Sequence, residues 1–503
     1  MAEPFYITTA ISYPNGPPHI GHAYEAIAAD VIARFHKGQG RDVRFQTGTD
    51  EHGLKMVQAA REAGLDPREY SNEMSNIFQQ MCDTLNVNYD CFLRTSEPDH
   101  YSASQAIWGA MEAKGDVYLG RYEGWYSVRD EAFYDESELT KGEGGEKLSP
   151  QGSPVEWTAE ESWFFKLSAY QQKLLDHYAA NPLFIQPDSR RNEVLRFVEG
   201  GLSDLSISRT SFDWGVPAPG HPGHVMYVWL DALTNYLTGL GYPGKTELFQ
   251  RYWPADVHLI GKDVVRFHAV YWPAFLMSAG IELPKMVYGH GFLLSSGEKM
   301  SKSIGNVVDP FALAESFGVD ALRYFLLREV PFGQDGSYSP EAIVNRVNAE
   351  LSNSFGNLAQ RTLSMIFKNL DGVIPPPGET PEDRGLLALV AGTVESDVPQ
   401  AFERFAFSVG IEAWLKAVFA CNAYVDAQAP WALRKTDPER MAAALGTLAV
   451  AVRQLTEAIA PVTPASADKL LALIASGSGG EPIAQPVPIF PRLELDDQAE
   501  AAQ

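Results

Sequence analysis

Apolar positions open the chain at the period of a strand and then switch to the period of a helix. Residues 5–9 form a short β-branched and aromatic run that halts at the turn cluster Pro14, Asn15, Gly16, Pro17 and Pro18. Beyond it Ile20, Ala23, Ile27, Ala28, Val31, Ile32 and Phe35 recur at helical spacing, so strand, loop and helix are expected in that order. The pattern then repeats, with a strand expected at 42–47 and a helix at 51–63 that Gly64 closes. Successive strand–helix units predict a parallel sheet with ligands at the carboxyl ends of its strands.

Residues 115–220 break that rhythm with aromatic pairs, Gly-rich turns and a polar stretch at 141–153, the marks of an inserted domain. An α/β pattern resumes at 225–236 and continues through 257–260, 267–277 and 286–294. Helical periodicity then takes over at 340–369, 383–398, 402–426 and 438–460, with a Pro-rich link at 373–381. The expected architecture is an α/β parallel-sheet domain from 1–114 and 221–309, interrupted by the insertion at 115–220. A linking segment at 310–340, an all-α bundle at 341–480 and a tail at 481–503 follow, the tail with a short strand expected at 487–490.

Length and composition agree with a multidomain globular protein. At about 150 residues per domain, 503 residues make roughly three domains. Hydrophobic residues at 45% and charged residues at 21% exclude a largely disordered chain. The formal charge of -24 repels polyanions at long range, so a nucleic-acid partner must be held by a local basic patch and by shape. Cys82, Cys91 and Cys421 are too few and too scattered for a disulfide framework and read as ordinary thiols in a reducing, cytosolic compartment. Residues 1–13 carry no secretory pattern, and no membrane span is expected, since the apolar region at 445–461 is interrupted by Arg453, Gln454 and Glu457.

Two short constellations carry the chemistry. His19, Ile20, Gly21 and His22 stand between the Pro-rich loop and a helix start, where backbone amides and two imidazoles can face the same oxyanions. Gly21 leaves room for a nucleotide ring; the bland alternative is a pair of surface histidines. Far along the chain Lys299, Met300, Ser301, Lys302 and Ser303 follow the turn residues Ser295, Ser296, Gly297 and Glu298. Two lysines and two serines on such a loop suit a triphosphate that develops charge on its leaving oxygens, although a lone cluster of this kind is usually a solvated turn.

In this order and setting the two motifs resemble those of the class I aminoacyl-tRNA synthetases. Residues 10–16, 47–53, 229–236 and 261–268 narrow the resemblance to the methionyl branch of that family, over about residues 5–470. The resemblance implies a Rossmann-like catalytic domain with a connective-peptide insertion and a helical anticodon-binding bundle. It implies ATP-dependent activation of L-methionine and transfer to the 3′-terminal adenosine of tRNA(Met), with Mg²⁺ accompanying ATP. His19, Gly21, His22, Lys299, Ser301, Lys302 and Ser303 would then hold ATP, with His19, His22, Lys299 and Lys302 acting in catalysis. Asp50 would hold the substrate ammonium, and Ala10, Ile11, Tyr13, Trp229, Tyr236, Asp263, Val264 and His268 would line the amino-acid site. Trp431 would stack on an anticodon base, with Asn348, Asn353 and Arg361 nearby.

The residues support these assignments less specifically by themselves. A long, apolar, weakly accepting side chain suits a pocket of aromatics and aliphatics, and a desolvated ammonium needs a carboxylate. Trp229 alone reads at least as well as core, and Arg346, Asn348, Asn353, Asn357 and Arg361 permit either a solvated helix face or an RNA surface. The chain departs from many relatives at Leu233, where they carry proline, and in having no cysteine at 125–163, where they carry zinc knuckles. Structural zinc is therefore not expected, no protein metal ligand is assigned, and a mixed site at His221 and His224 is disfavoured. The alternatives are a class I synthetase for leucine or isoleucine, for which the insertion is too short to be the usual editing domain, and a non-catalytic tRNA-binding paralogue. A monomer is expected.

Overall fold

The computed structural model describes residues 2–130, 132–142, 145–295, 298–299, 307–478 and 480–495. The chain forms two compact units. The first comprises Met1–Pro18, His36–Asp83 and Asn88–His290; the second comprises His19–Phe35, Thr84–Val87 and Gly291–Gln503.

The first unit is built on a six-stranded sheet in which every pairing is parallel. Its order runs Cys91–Arg94, Asp42–Thr49, Pro4–Thr9, Val257–Gly261, Val287–His290, Ile185–Gln186. Strand order therefore reverses between Pro4–Thr9 and Val257–Gly261, the place where a doubly wound sheet opens a crevice for ligands. Tyr6 and Ile7 on the first strand and Leu259 and Ile260 on its neighbour are fully buried, as strands covered on both faces must be. Helices such as Pro98–Ala113 and Val228–Thr238 supply the cover through Ile107, Trp108, Leu230 and Leu237, each fully buried and contributing about 2 to 3 kcal/mol of apolar burial. A separate antiparallel sheet, led by the long pairing of Val117–Ser127 with Glu156–Phe165, occupies the stretch that breaks the α/β rhythm.

The second unit is mainly helical, with a small sheet of Leu293–Ser295, Glu298–Lys299 and Gly336–Tyr338. The helix Ile20–Gly38 contributes its residues up to Phe35 to this unit. Asp30 on that helix forms a fully buried ion pair with Arg323 at 2.5 Å. The remaining guanidinium donors go to the carbonyls of Leu85, Pro461 and Val462, so the buried charge is also hydrogen-bonded.

Four local expectations change. The second helix begins at Leu54 rather than at residue 51, because Gly53 at φ 102° sets off a loop in which Glu51 and His52 find long-range partners. The apolar run at 286–294 is two strands, Val287–His290 and Leu293–Ser295, broken at Gly291, where a Cβ would lie 2.1 Å from the Gln334 carbonyl oxygen. Residues 487–490 form no strand; the Pro-rich segment around them instead gives its carbonyls to side chains, with Gln360 donating to Pro486 and Ser352 to Pro491. Finally, Pro438–Ile459 does meet the length and hydropathy of a membrane span, at a mean hydropathy of 1.2. Its apolar side, including Leu445, Leu448, Val452 and Leu455, is buried within the helical unit.

Candidate active site

Most of the residues named from the sequence for an amino-acid site follow the carboxyl ends of the strands at the order reversal. Ala10, Ile11 and Tyr13 leave the end of Pro4–Thr9, Asp50 leaves Asp42–Thr49, and Asp263, Val264 and His268 follow Val257–Gly261. The backbone is tied across the first two exits: Ser12 N–H donates to Gly48 O at 2.9 Å and Asp50 N–H to Ser12 O at 2.8 Å. Trp229 and Tyr236 arrive on Val228–Thr238 two turns apart, hence on one helix face. Asp50, Tyr236 and His268 are buried, Ala10, Ile11, Tyr13, Trp229 and Val264 half-buried, and Asp263 exposed.

Hydrogen-bond roles fix the pocket's protonation. His268 Nδ1 lies 2.9 Å from the Val264 carbonyl, which can only accept, so the ring proton sits on Nδ1. Nε2 is then an acceptor, and the Tyr236 hydroxyl donates to it at 2.6 Å. Burial holds this imidazole neutral, lowering its pKa to about 4. Behind Tyr236, His258 stacks at 4.0 Å; its Nε2 accepts from Trp272 Nε1–H and its Nδ1 donates to Thr8 Oγ1 at 2.7 Å. Burial pushes His258 well below its ordinary pKa as well. Trp229 lies flat on Phe267, with centroids 3.8 Å apart and planes 6° apart, and edge-on to His268. The wall is aromatic and uncharged, with His268 in the π-helical stretch Phe267–Tyr271.

Asp50 is presented by neighbours that sequence reasoning missed. Glu51 is fully buried and accepts from Thr49, Ser75, Ser96 and Arg94, the last at 2.6 Å. Burial raises its pKa, but the bonds from Arg94, Ser75 and Ser96 outweigh that and hold it below the usual carboxylate range. A run of three ionisable residues at 50–52 was the available signal. Leu233 is buried on the same helix as Trp229 and Tyr236.

In the second unit the two imidazoles of the other motif lie 3.9 Å apart, centroid to centroid. His19 Nδ1 accepts from Gly21 N–H at 3.0 Å and His22 Nδ1 accepts from His19 N–H at 3.1 Å, which places each ring proton on Nε2, the form that donates to phosphate oxygen. A Cβ on Gly21 would meet the His19 ring at 2.8 Å, so this glycine first makes room for an imidazole. Ile20 N–H donates to Val308 O at 3.0 Å, which joins the helix start to a residue six positions after Lys302. Lys299 ends the strand Glu298–Lys299; Met300, Ser301, Lys302 and Ser303 lie outside the described residues.

Trp431 sits on the short helix Pro430–Thr436 and is 49% exposed, with the Arg361 guanidinium 5.5 Å from its ring centre. Arg361 also lies 3.7 Å from Asp426. Asn353 and Asn357 are exposed. The Asn348 amide is taken up by the chain itself, donating to Leu493 O at 2.9 Å and accepting from Leu493 N–H at 2.8 Å. Arg346 is held by Glu329 and Glu350.

Among the described residues no group of three or more His, Cys, Asp or Glu is placed to hold a metal ion. His221 stacks on Trp163 and pairs with Glu112 at 2.8 Å, while His224 Nδ1 meets Ser208 Oγ at 3.0 Å. No disulfide joins the cysteines; Cys82 and Cys421 are buried and Cys91 half-buried.

The family model described as "tRNA synthetases class I (M)" matches residues 5–363. The methionine–tRNA ligase of Brucella suis biovar 1 is 56% identical, over 99% of this chain and 99% of its own. That of Mycobacterium tuberculosis strain H37Rv is 55% identical over 98% of each. A solved structure of Mycobacterium tuberculosis methionyl-tRNA synthetase in complex with methionyl-adenylate superposes with a TM-score of 0.94, at 55% identity, covering 97% of this chain and 100% of that one. A free-state structure of that synthetase gives a TM-score of 0.87 at 51% identity, covering 99% of each chain. By motif, sheet topology and near full-length identity, this chain belongs to the methionyl branch of the class I aminoacyl-tRNA synthetases.

Proposed function

We propose that this protein activates L-methionine with ATP and transfers the methionyl group to the 3′-terminal adenosine of tRNA(Met). The observation that carries the reading is the pocket at the strand-order reversal, where buried Asp50 accompanies an aromatic wall whose histidine stays neutral. A thioether side chain is desolvated there at little cost, while its ammonium keeps a carboxylate partner.

In the first step the methionine carboxylate attacks the α-phosphorus of ATP in line, the bond to the bridging oxygen of the β-phosphate breaks, and pyrophosphate leaves. No covalent protein nucleophile is needed; alignment and charge stabilisation do the work. Nε2–H of His19 and of His22 donate to phosphate oxygens, and Lys299 and Lys302, with Ser301 and Ser303, neutralise the departing pyrophosphate. The Ile20–Val308 bond supports this division, because it ties the helix start that carries the imidazole pair to a residue six sequence positions after Lys302. Mg²⁺ would accompany ATP, with phosphate oxygens and water supplying most of its ligands, and would offset the charge of the triphosphate. In the second step a hydroxyl of the terminal adenosine attacks the activated carbonyl and AMP leaves. Trp431, flanked by Arg361, offers its exposed face to an unstacked anticodon base. The protein works as a cytosolic monomer in this reading.

ATP–pyrophosphate exchange with a panel of amino acids tests the proposal. Exchange with methionine alone is expected. Exchange with leucine or isoleucine selects another class I specificity, and tRNA binding without exchange selects a non-catalytic paralogue.

A further inference from the structure

Asp231 stands on Val228–Thr238, the helix that carries Trp229 and Tyr236, and is completely buried. A carboxylate taken out of water without compensation costs several kcal/mol, so its partners have a reason to be there. They are two imidazoles: His52 Nδ1–H donates to Oδ2 at 2.6 Å and His100 Nε2–H donates to Oδ1 at 2.7 Å. Burial pushes the Asp231 pKa up, but the attraction of His52 and the hydrogen bonds from His100 and His52 outweigh it and hold it at about 2. His100 is itself fixed, 3.0 Å from Thr238 Oγ1.

His52 leads from this carboxylate to the pocket by two short routes. Its carbonyl accepts the Tyr13 hydroxyl at 2.7 Å, so one pocket residue is hung directly on it. It also follows Asp50 by two positions in the loop between strand and helix. Its ring is boxed in by Tyr101 and Trp214, each edge-on at 5.4 Å, and Nε2 meets the Tyr101 hydroxyl at 3.1 Å. Trp214 Nε1–H in turn donates to the Glu51 carbonyl at 2.5 Å.

We propose that Asp231 acts through His52 as a positioning residue that holds Tyr13 and the Asp50 loop in place for the amino acid, and so sets amino-acid affinity. This rests on the reading of the pocket as the methionine site. A carboxylate present only for stability could be exchanged for apolar packing. One that orients a pocket residue changes substrate recognition when its bond to His52 is lost.

Two substitutions separate the ring nitrogens. His52→Asn puts an amide N–H near the place of Nδ1 and keeps the bond to Asp231. His52→Gln places its amide near Nε2, keeps the contact to Tyr101 and leaves Asp231 without His52. In pyrophosphate exchange, His52→Gln is expected to raise the methionine KM about tenfold with the ATP KM within about twofold, whereas His52→Asn stays within about threefold of wild type. In a Tyr13→Phe background the effect of His52→Gln should shrink to about threefold, because the Tyr13 route is already cut and only the Asp50 loop remains to be disturbed. Equal KM values for the two variants, a parallel rise in the ATP KM, or effects that multiply fully in the Tyr13→Phe background would overturn the proposal. Tyr101→Phe, a milder change that touches only the Nε2 side, should leave the methionine KM unaltered; a tenfold rise there would also overturn it. A wild-type protein that exchanges with a different amino acid would fail the methionine reading alone, and the same variants read with that amino acid would still test the positioning role.

Discussion

Tyr236 and Trp431 are both aromatics assigned to a substrate, but the first is 1% exposed and the second 49%. Tyr236 is held from several sides: its hydroxyl donates to His268, its ring stacks on His258, and its carbonyl accepts from the Tyr6 hydroxyl. Trp431 stands on the seven-residue helix Pro430–Thr436, with the Arg361 guanidinium 5.5 Å from its ring centre. A pocket for a small side chain gains selectivity from fixed walls, so its residues are also part of the core. A platform for a base works by leaving a face in water until RNA covers it. On the proposed roles, fold stability and recognition are coupled in the first region and separable in the second.

The largest test of that contrast removes the pocket's charge. Asp50→Asn should lower kcat/KM for methionine in pyrophosphate exchange by about 10²-fold, as expected when one partner of a desolvated charge pair is lost. Next in size, Trp431→Ala should reduce charging of tRNA(Met) by about 10-fold or more, the worth of one stacked base, while exchange stays within about twofold and Tm is unchanged. A fall in Tm together with exchange would make Trp431 a structural residue and erase the contrast. Tyr236→Phe should cost about 1 to 2 kcal/mol of stability, since the buried His268 acceptor loses its donor, and raise the methionine KM several-fold. Unchanged Tm with a raised KM would show recognition in the pocket to be as separable as it is at Trp431.

The last effect concerns pH and bears on stability without removing a pocket contact. His268 titrates near 4 in the folded chain against about 6.5 when exposed, so the unfolded state binds the proton first as pH falls. Stability from keeping this ring neutral is complete above pH 6.5 and is lost progressively towards pH 4, by up to about 3 kcal/mol. His268→Gln should flatten that part of the stability profile in denaturant titrations. An unaltered slope would mean that this ring is not held neutral by the fold.

The strand–loop–helix openings and the motif residues were legible because hydrophobic period and turn chemistry are local. Asp50 was named from the family resemblance and not from period or spacing, since the strand was expected to end at residue 47. Glu51 and His52 could not be told from the first turn of a helix, because the partners that pull them out of it, Arg94 and Asp231, lie 43 and 179 residues further on. Asn348 looks like an open amide on a polar helix face until Leu493, 145 residues later, arrives to use both its ends. Gly21 was legible as a required glycine, but the atom it avoids, on the His19 ring, depends on a rotamer that no pattern encodes.

The most direct test looks for the intermediate itself. Protein incubated with ATP, Mg²⁺ and methionine in the absence of tRNA, with pyrophosphatase present, should hold close to one methionyl adenylate per chain when analysed by mass spectrometry, and none of the corresponding adenylate when leucine or isoleucine replaces methionine. An equal yield with leucine or isoleucine, or no adenylate with any of the three, would contradict the account.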